Sequence, residues 1–142
     1  MNKPYLIEGG LFTDQRGSIS HVNDFRVEHF TRFYTIEHSD CSVIRAWQGH
    51  RFEVKAFYVV NGVFAINAVD PGSFDNPDPN AEVLSFSLSA AESKVLVVPQ
   101  GYANGFKALV PGSKMVVFSN HLLENSHTDI IRFPVDFWRF KC

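Results

Sequence analysis

Cysteine is nearly absent from this chain: Cys41 and Cys142 are the only two among 142 residues. Cys142 is the last residue, so no disulfide framework is expected, and a reducing cytoplasm is the compartment this implies. No stretch approaches the roughly 20 apolar residues that cross a bilayer, and the opening MNKPYLIEGG holds no apolar core of signal-peptide length. A membrane partner is therefore not expected. Excess charge of one sign is missing as well. The formal net charge is −2, and the basic residues are scattered apart from a short Arg132–Lys141 tail that reads as a solvated or dimer-facing end. That leaves no electrostatic case for binding nucleic acid. Repeats, low-complexity runs, linkers and amphipathic helices of three turns are also lacking.

Aromatic residues are what the chain has in excess, with 14 phenylalanines. Phenylalanine and β-branched residues suit the pleated surface of a sheet, and the length predicts one domain, 1–142, with room for a core. Short apolar-alternating runs predict strands over Ser18–Asn23, Arg32–Glu37, Val43–Gln48, Val54–Val60, Val63–Val69, Glu82–Leu88, Lys94–Val98, Gly105–Leu109 and Met115–Ser119. Asn61-Gly62 reads as a hairpin turn, Pro111-Gly112 as another turn, and Pro71–Asn80 as a long loop. Ser89–Ser93 favours a helical turn, with Ser89 and Glu92 at capping-box spacing. Residues 121–142 read as a C-terminal arm, aromatic-rich and interrupted by Pro134, packing on the barrel or on a second subunit. The expected fold is all-β, a double-sheet jelly-roll barrel. Its exposed sheet edges predict a homodimer.

Strand parity places candidate side chains. In Val43–His50, Ala46, Gln48 and His50 share one face and Arg45, Trp47 and Gly49 the other; in Val54–Val60, Lys55 shares a face with Phe57 and Val59. A lysine in a run as apolar as AFYVV is costly to bury unless an anion accompanies it.

Two segments, RAWQGHRFEVKAFYVVNG from Arg45 and PQGYANGF from Pro99, together resemble the two motifs of the cupin superfamily, a double-stranded β-helix. By that resemblance Gln48 and His50 stand at the two histidine positions of the first motif, Lys55 at its acid, and Asn104 at the histidine of the second. One imidazole, two amides and an ammonium make a poor cation site, so neither a metal nor another cofactor is expected.

Two cupin families resemble the chain more specifically. VVPQGYANGF is similar to the I-P-x-G-x-A-H-G-F stretch of the dTDP-4-dehydrorhamnose 3,5-epimerases, and FTDQRGSIS to their D-x-R-G-F-F element, with Asp14, Arg16 and Gly17 in register. Arg45 and Lys55 match an arginine and a lysine of that family. Its catalytic histidine is Gln48 here, and on the strand that carries its tyrosine the nearest residues are Val117 and Phe118. The sugar-nucleotide 3,4-ketoisomerases carry R-G-x-H-A-H-K, against which RAWQGHR aligns His50 with the second histidine; RFYTI places Tyr34 near a pocket tyrosine, and DIIRF resembles the family's ending.

These resemblances imply a nucleotide-diphosphate sugar as partner and metal-free proton abstraction beside the C4 ketone of a dTDP-4-keto-6-deoxyhexose. His50 would be the base, since an imidazole titrates near cellular pH. Lys55 would stabilise the enolate, and Tyr34, Tyr102 or His21 would supply the acid. Arg16 and Arg45 would hold the diphosphate, with Gln48, Asn104 and Tyr102 contacting the substrate. A 3,5-epimerase-like reaction, a 3,4-ketoisomerisation and a non-catalytic nucleotide-sugar-binding cupin remain open at this point, and a metal cupin with altered ligands is disfavoured by Lys55.

Overall fold

The computed structural model describes residues 2–142. Its strands are β1 (Tyr5–Glu8), β2 (Gly10–Asp14), β3 (Gly17–His21), β4 (Arg32–Glu37), β5 (Ile44–Gly49), β6 (Lys55–Asn61), β7 (Val63–Val69), β8 (Val83–Ser89), β9 (Lys94–Val98), β10 (Ala103–Ala108), β11 (Lys114–Ser119) and β12 (Ile131–Arg132). One short helix, α1 (Leu123–His127), precedes β12. Two five-stranded antiparallel sheets, ordered β1-β9-β6-β11-β4 and β12-β5-β10-β7-β8, face each other, and β2–β3 form a separate hairpin. This is the expected all-β, double-stranded β-helix.

Alternation carries the fold. Phe57, Val59, Phe64, Ile66, Leu96, Met115 and Val117 meet between the sheets in one buried cluster, and adjacent strands present them in step, with Phe57 opposite both Val117 and Leu96. Such close-packed apolar layers give each side chain many small dispersion contacts.

Three strand spans match the sequence expectation residue for residue: Arg32–Glu37, Val63–Val69 and Lys94–Val98. The helical turn appears at Ala90–Glu92, with the Ser89 hydroxyl accepting from the Ala91 amide. Asn61-Gly62 is a turn, but not of a hairpin: β6 and β7 lie in different sheets, and the turn passes the chain between them. Gly62 has φ of +74°, and a Cβ there would stand 2.2 Å from the Ser113 hydroxyl. Strands β1, β2 and β12 had no sequence signal. β1 and β2 leave most of their side chains exposed, and β12 is two residues long, so backbone pairing rather than alternation defines them.

The C-terminal arm packs on its own barrel. Trp138 stacks edge-on against Trp47 at 5.6 Å, and the Trp47 indole donates to the carbonyls of Val135 and Trp138. The Lys141 amide donates to Asn67 Oδ1, and Asn67 Nδ2 returns a bond to the Lys141 carbonyl. Among the described residues no helix is long and apolar enough to cross a membrane.

Candidate active site

The site begins with an irregularity in β5. Opposite β10, Gln48 pairs with Asn104, Ala46 with Gly105 and Arg45 with Phe106, so Trp47 is an extra residue. A bulge of this kind reverses strand parity beyond it. Asn104 and Phe106 share the inward face of β10; Arg45 is therefore carried to the same side as Gln48, while Ala46 packs outward with Trp47 under the arm. Unbroken alternation put Ala46 inside and Arg45 outside. The bulge overturns both, and two consecutive residues on one face leave no mark in the hydrophobic pattern.

The consequence is a cavity of about 430 Å3, lined by Tyr34, Arg45, Gln48, Asn104, Phe106 and Arg132 among others. Its size falls within the roughly 300–1,000 Å3 usual for small-molecule pockets. Arg132, Gln48 and Asn104 form one row across β12, β5 and β10. Tyr34 on β4 pairs with Val117 on β11, so a tyrosine stands one strand away from the position where β11 has none.

Behind this wall lies a buried charged layer. Lys55 Nζ donates to Gln48 Oε1 at 3.2 Å and sits 5.9 Å from the Tyr34 ring. Lys55 is 6% exposed, His50 2% and Glu53 1%. β6 is an inner strand of its sheet, so Lys55 is not the solvated edge residue that a lysine on a strand often is. His50 Nδ1 lies 3.6 Å from Glu53 Oε1, and Lys55 Nζ 4.0 Å from Glu53 Oε2. Neither ring nitrogen of His50 has a hydrogen-bond partner among the described residues.

The loop that carries His50 and Glu53 is held from the C-terminal side. Asp129 accepts the backbone amides of Arg51, Phe52 and Glu53 at 2.8, 3.0 and 2.8 Å, and Asn120 Oδ1 accepts that of Val54. Three otherwise orphaned N–H donors are thus met by one buried carboxylate.

The electrostatics follow from burial and these neighbours. Burial, helped by the Lys55 charge, pushes the His50 imidazole down to about 4 against the pull of Glu53 and Asp129. Burial also brings Lys55 down to about 8; Glu53 resists this, while Arg32 and Arg132 add to it. Tyr34 is pushed up to about 12 by burial and then by the Glu53 charge. For Glu53, burial favours the neutral acid, but hydrogen bonds from Ser126 and Ser119 and the charges of His50 and Lys55 outweigh it and hold the carboxyl below its ordinary range. At neutral pH the layer holds a neutral imidazole, a carboxylate and a readily deprotonated ammonium.

His50, Glu53 and Asp129 bring potential ligand atoms within 4.8 Å of one another. The donor set does not fit a divalent cation. Asp129 is engaged by three backbone amides, each Glu53 oxygen by a hydroxyl, and the Lys55 ammonium stands against Glu53.

Of the residues the sequence singled out, Tyr34, Arg45, Gln48 and Asn104 line the cavity; Lys55 and His50 do not, Lys55 reaching it through Gln48 and His50 standing beyond Glu53. Tyr102 is elsewhere: it packs into the apolar cluster and borders a separate depression with Asp70 and Leu84. His21 ends β3, its ring beside Gly10. Arg16 is at the tip of the β2–β3 hairpin, forked onto Asp14 and 79% exposed. Sequence reasoning missed Glu53, Asp129 and Arg132. The signal for Glu53 was present, a second charge beside Lys55 at the head of an apolar strand.

No protein-family model matches the chain, and no curated protein does. Solved structures do. It is similar to the 3,4-ketoisomerase QdtA from Thermoanaerobacterium thermosaccharolyticum, a mutant in complex with TDP-4-keto-6-deoxyglucose, at 18% identity and TM-score 0.73, over 96% of this chain and 92% of that one. A dTDP sugar isomerase from Desulfovibrio desulfuricans G20 matches at 19% identity and TM-score 0.74, over 97% and 89%. A dTDP-4-dehydrorhamnose 3,5-epimerase from Bacillus anthracis str. Ames, with TDP and PPi bound, matches at 23% and 0.71, over 87% and 75%. At these identities the likeness establishes the fold.

Proposed function

We propose that this protein is a sugar-nucleotide isomerase that acts on a dTDP-4-keto-6-deoxyhexose by proton abstraction beside the C4 ketone, without a metal. The observation that carries the reading is the buried Lys55, hydrogen-bonded to Gln48 in the wall of a cavity also lined by Arg45, Arg132, Tyr34 and Asn104, with Glu53 and then His50 beside it. The solved relatives that share the fold are isomerases and epimerases of such sugars, which supports the substrate class.

The chemistry follows from the groups present. The ketone acidifies the neighbouring C–H. Burial holds His50 down to about 4, not near cellular pH as the sequence led one to expect. It is therefore a neutral but weaker base than an ordinary imidazole, with a lone pair free to accept that proton. The Lys55 ammonium can stabilise the enolate oxygen in a water-poor setting. Tyr34 keeps its proton throughout the physiological range and is the acid closest to the reacting layer. The guanidinium of Arg45 suits a diphosphate, which it can grip through two parallel hydrogen bonds. Proton return to the opposite face of the carbon gives an epimer; proton delivery to C4 instead, as the C3 hydroxyl proton passes to the C4 oxygen, gives the 3-keto isomer. β11 offers Val117 rather than a second acid across the sugar, and the ketoisomerase QdtA is covered over more of its length than the 3,5-epimerase. Both facts favour 3,4-ketoisomerisation, with single-centre epimerisation as the second reading.

The protein acts in the cytoplasm as a homodimer. Among the described residues the β2–β3 hairpin pairs with no other strand, and it exposes Leu11, Phe12 and Ile19; a lone hairpin is marginally stable in water. A second copy would cover it, and Arg16 at its tip is then available to a neighbouring cavity. Light scattering tests this: a particle of about twice 16.1 kDa supports the dimer, and a monomer at micromolar concentration overturns it. For the reaction, the test is incubation with dTDP-4-keto-6-deoxyglucose and NMR of the products. A 3-keto sugar or a C3 or C5 epimer supports the isomerase; tight binding with the sugar unchanged replaces it with a nucleotide-sugar-binding module.

A further inference from the structure

Glu53 has no task in the scheme above, yet it is the most buried charged side chain beside the reacting groups. Each of its oxygens is held separately. Ser126 Oγ, from α1, donates to Oε1 at 2.6 Å, and Ser119 Oγ, from the end of β11, donates to Oε2 at 2.8 Å. The carboxylate plane is therefore fixed, and its two oxygens face different bases: Oε1 faces His50 Nδ1 and Oε2 faces Lys55 Nζ. If Glu53 only tied α1 to β11 through two hydroxyls, a neutral amide would serve, and the desolvation cost of a buried carboxylate would be avoided.

We propose that Glu53 is the counter-ion of Lys55 and the carboxylate that orients a neutral His50, a positioning residue that keeps Lys55 an ammonium beside the cavity and turns His50 so that Nδ1–H faces the carboxylate and Nε2 is left bare as the base. This rests on the proton-transfer reading for its purpose, though not for its existence. The charged and titratable groups around Lys55 are Glu53 and His50, Tyr34 and Arg32 on β4, and Arg132 on β12; around His50 they are Lys55, Glu53 and Asp129. Near Lys55 the two arginines drive the proton off and Glu53 opposes them. Without the carboxylate, burial and two guanidiniums would act on the ammonium unopposed. His50 would lose the carboxylate that stands 3.6 Å from Nδ1 and favours a proton on that nitrogen.

The experiment is NMR on full-length protein labelled at histidine nitrogens and lysine Cε, comparing wild type with Glu53→Gln. The expected result is an Nδ1–H tautomer for His50 in the wild type, and a Lys55 midpoint that falls by about one unit or more in the variant, as removal of an opposite charge within about 4–6 Å predicts. An unmoved Lys55 midpoint, or an Nε2–H tautomer in the wild type, overturns the proposal. If Glu53→Gln does not fold, Ser126→Ala loosens only the oxygen that faces His50. His50 signals should then move with Lys55 nearly unchanged, and unchanged His50 signals overturn the proposal. In the kinetics, the alkaline limb of kcat/KM should shift to lower pH in Glu53→Gln; a uniform loss with the limb in place marks a purely structural role. Should the wild type convert no sugar while the NMR behaves as stated, the reaction reading fails and the counter-ion stands.

Discussion

Along two paired strands of one sheet, and along one strand of the sheet that faces it, the inward side changes character within two residues. On β6, Lys55 is followed inward by Phe57 and Val59; on β11, Ser119 gives way to Val117 and Met115; on β10, Asn104 gives way to Phe106 and Ala108. The strands are in register, so Lys55 pairs with Ser119, Phe57 with Val117 and Val59 with Met115. The barrel thus has an apolar floor and a polar layer above it, made by the same elements at the same depth of burial. The floor needs only hydrophobic packing to explain it. The polar layer could have been built apolar at less desolvation cost, and its persistence in a fully buried position is the physical reason to assign it a reaction.

The two layers should separate cleanly under mutation. Phe57→Ala, in the floor, should have the largest effect on folding, a loss of about 3–5 kcal/mol in denaturant unfolding, with dTDP affinity nearly kept in whatever fraction stays folded. In the polar layer, His50→Ala should lower turnover by about 10²-fold or more while nucleotide binding is retained. Lys55→Met should lose turnover on a similar scale of about 10²-fold, through the enolate. If either polar variant instead unfolds the protein and Phe57→Ala does not, the division into floor and layer is wrong.

How far the sequence revealed this division differs between the two. The floor was legible because packing enforces alternation, and Phe57 and Val59 sit where period-two reading puts them. His50 and Lys55 were singled out through the cupin resemblance, with parity adding only which neighbours share their faces. Arg45 was misplaced because one extra residue at Trp47 reverses the face, and nothing in RAWQG announces a bulge. Glu53 and Asp129 were missed because their partners are far along the chain. Asp129 meets backbone amides 76 to 78 residues away, and backbone donors have no sequence signature. The short β1 and β12 were missed for the same reason.

Smaller effects sharpen the comparison at its rim and in its charge. Arg45→Ala should weaken dTDP binding about tenfold, as expected for one charge-assisted hydrogen-bonded contact, with kcat little changed; calorimetry and steady-state kinetics separate the two. The pH dependence of stability should carry the signature of buried His50. Its folded pKa of about 4 lies below the ordinary 6.5, so between those values the unfolded chain binds the extra proton. Stability therefore rises as pH goes from 4 to 6.5. Unfolding curves of wild type and His50→Gln across that window check it, and the variant should show the shallower slope.

The central claim, that the polar layer moves protons at a carbon beside a ketone, is tested most directly by incubating the wild-type protein with dTDP-4-keto-6-deoxyglucose in D2O and following the sugar by NMR. The account predicts deuterium at C3 or C5 of the 4-keto sugar, or at C4 of a 3-keto product, at a rate well above the protein-free control. A sugar that binds to the protein and keeps both protons through prolonged incubation would contradict it.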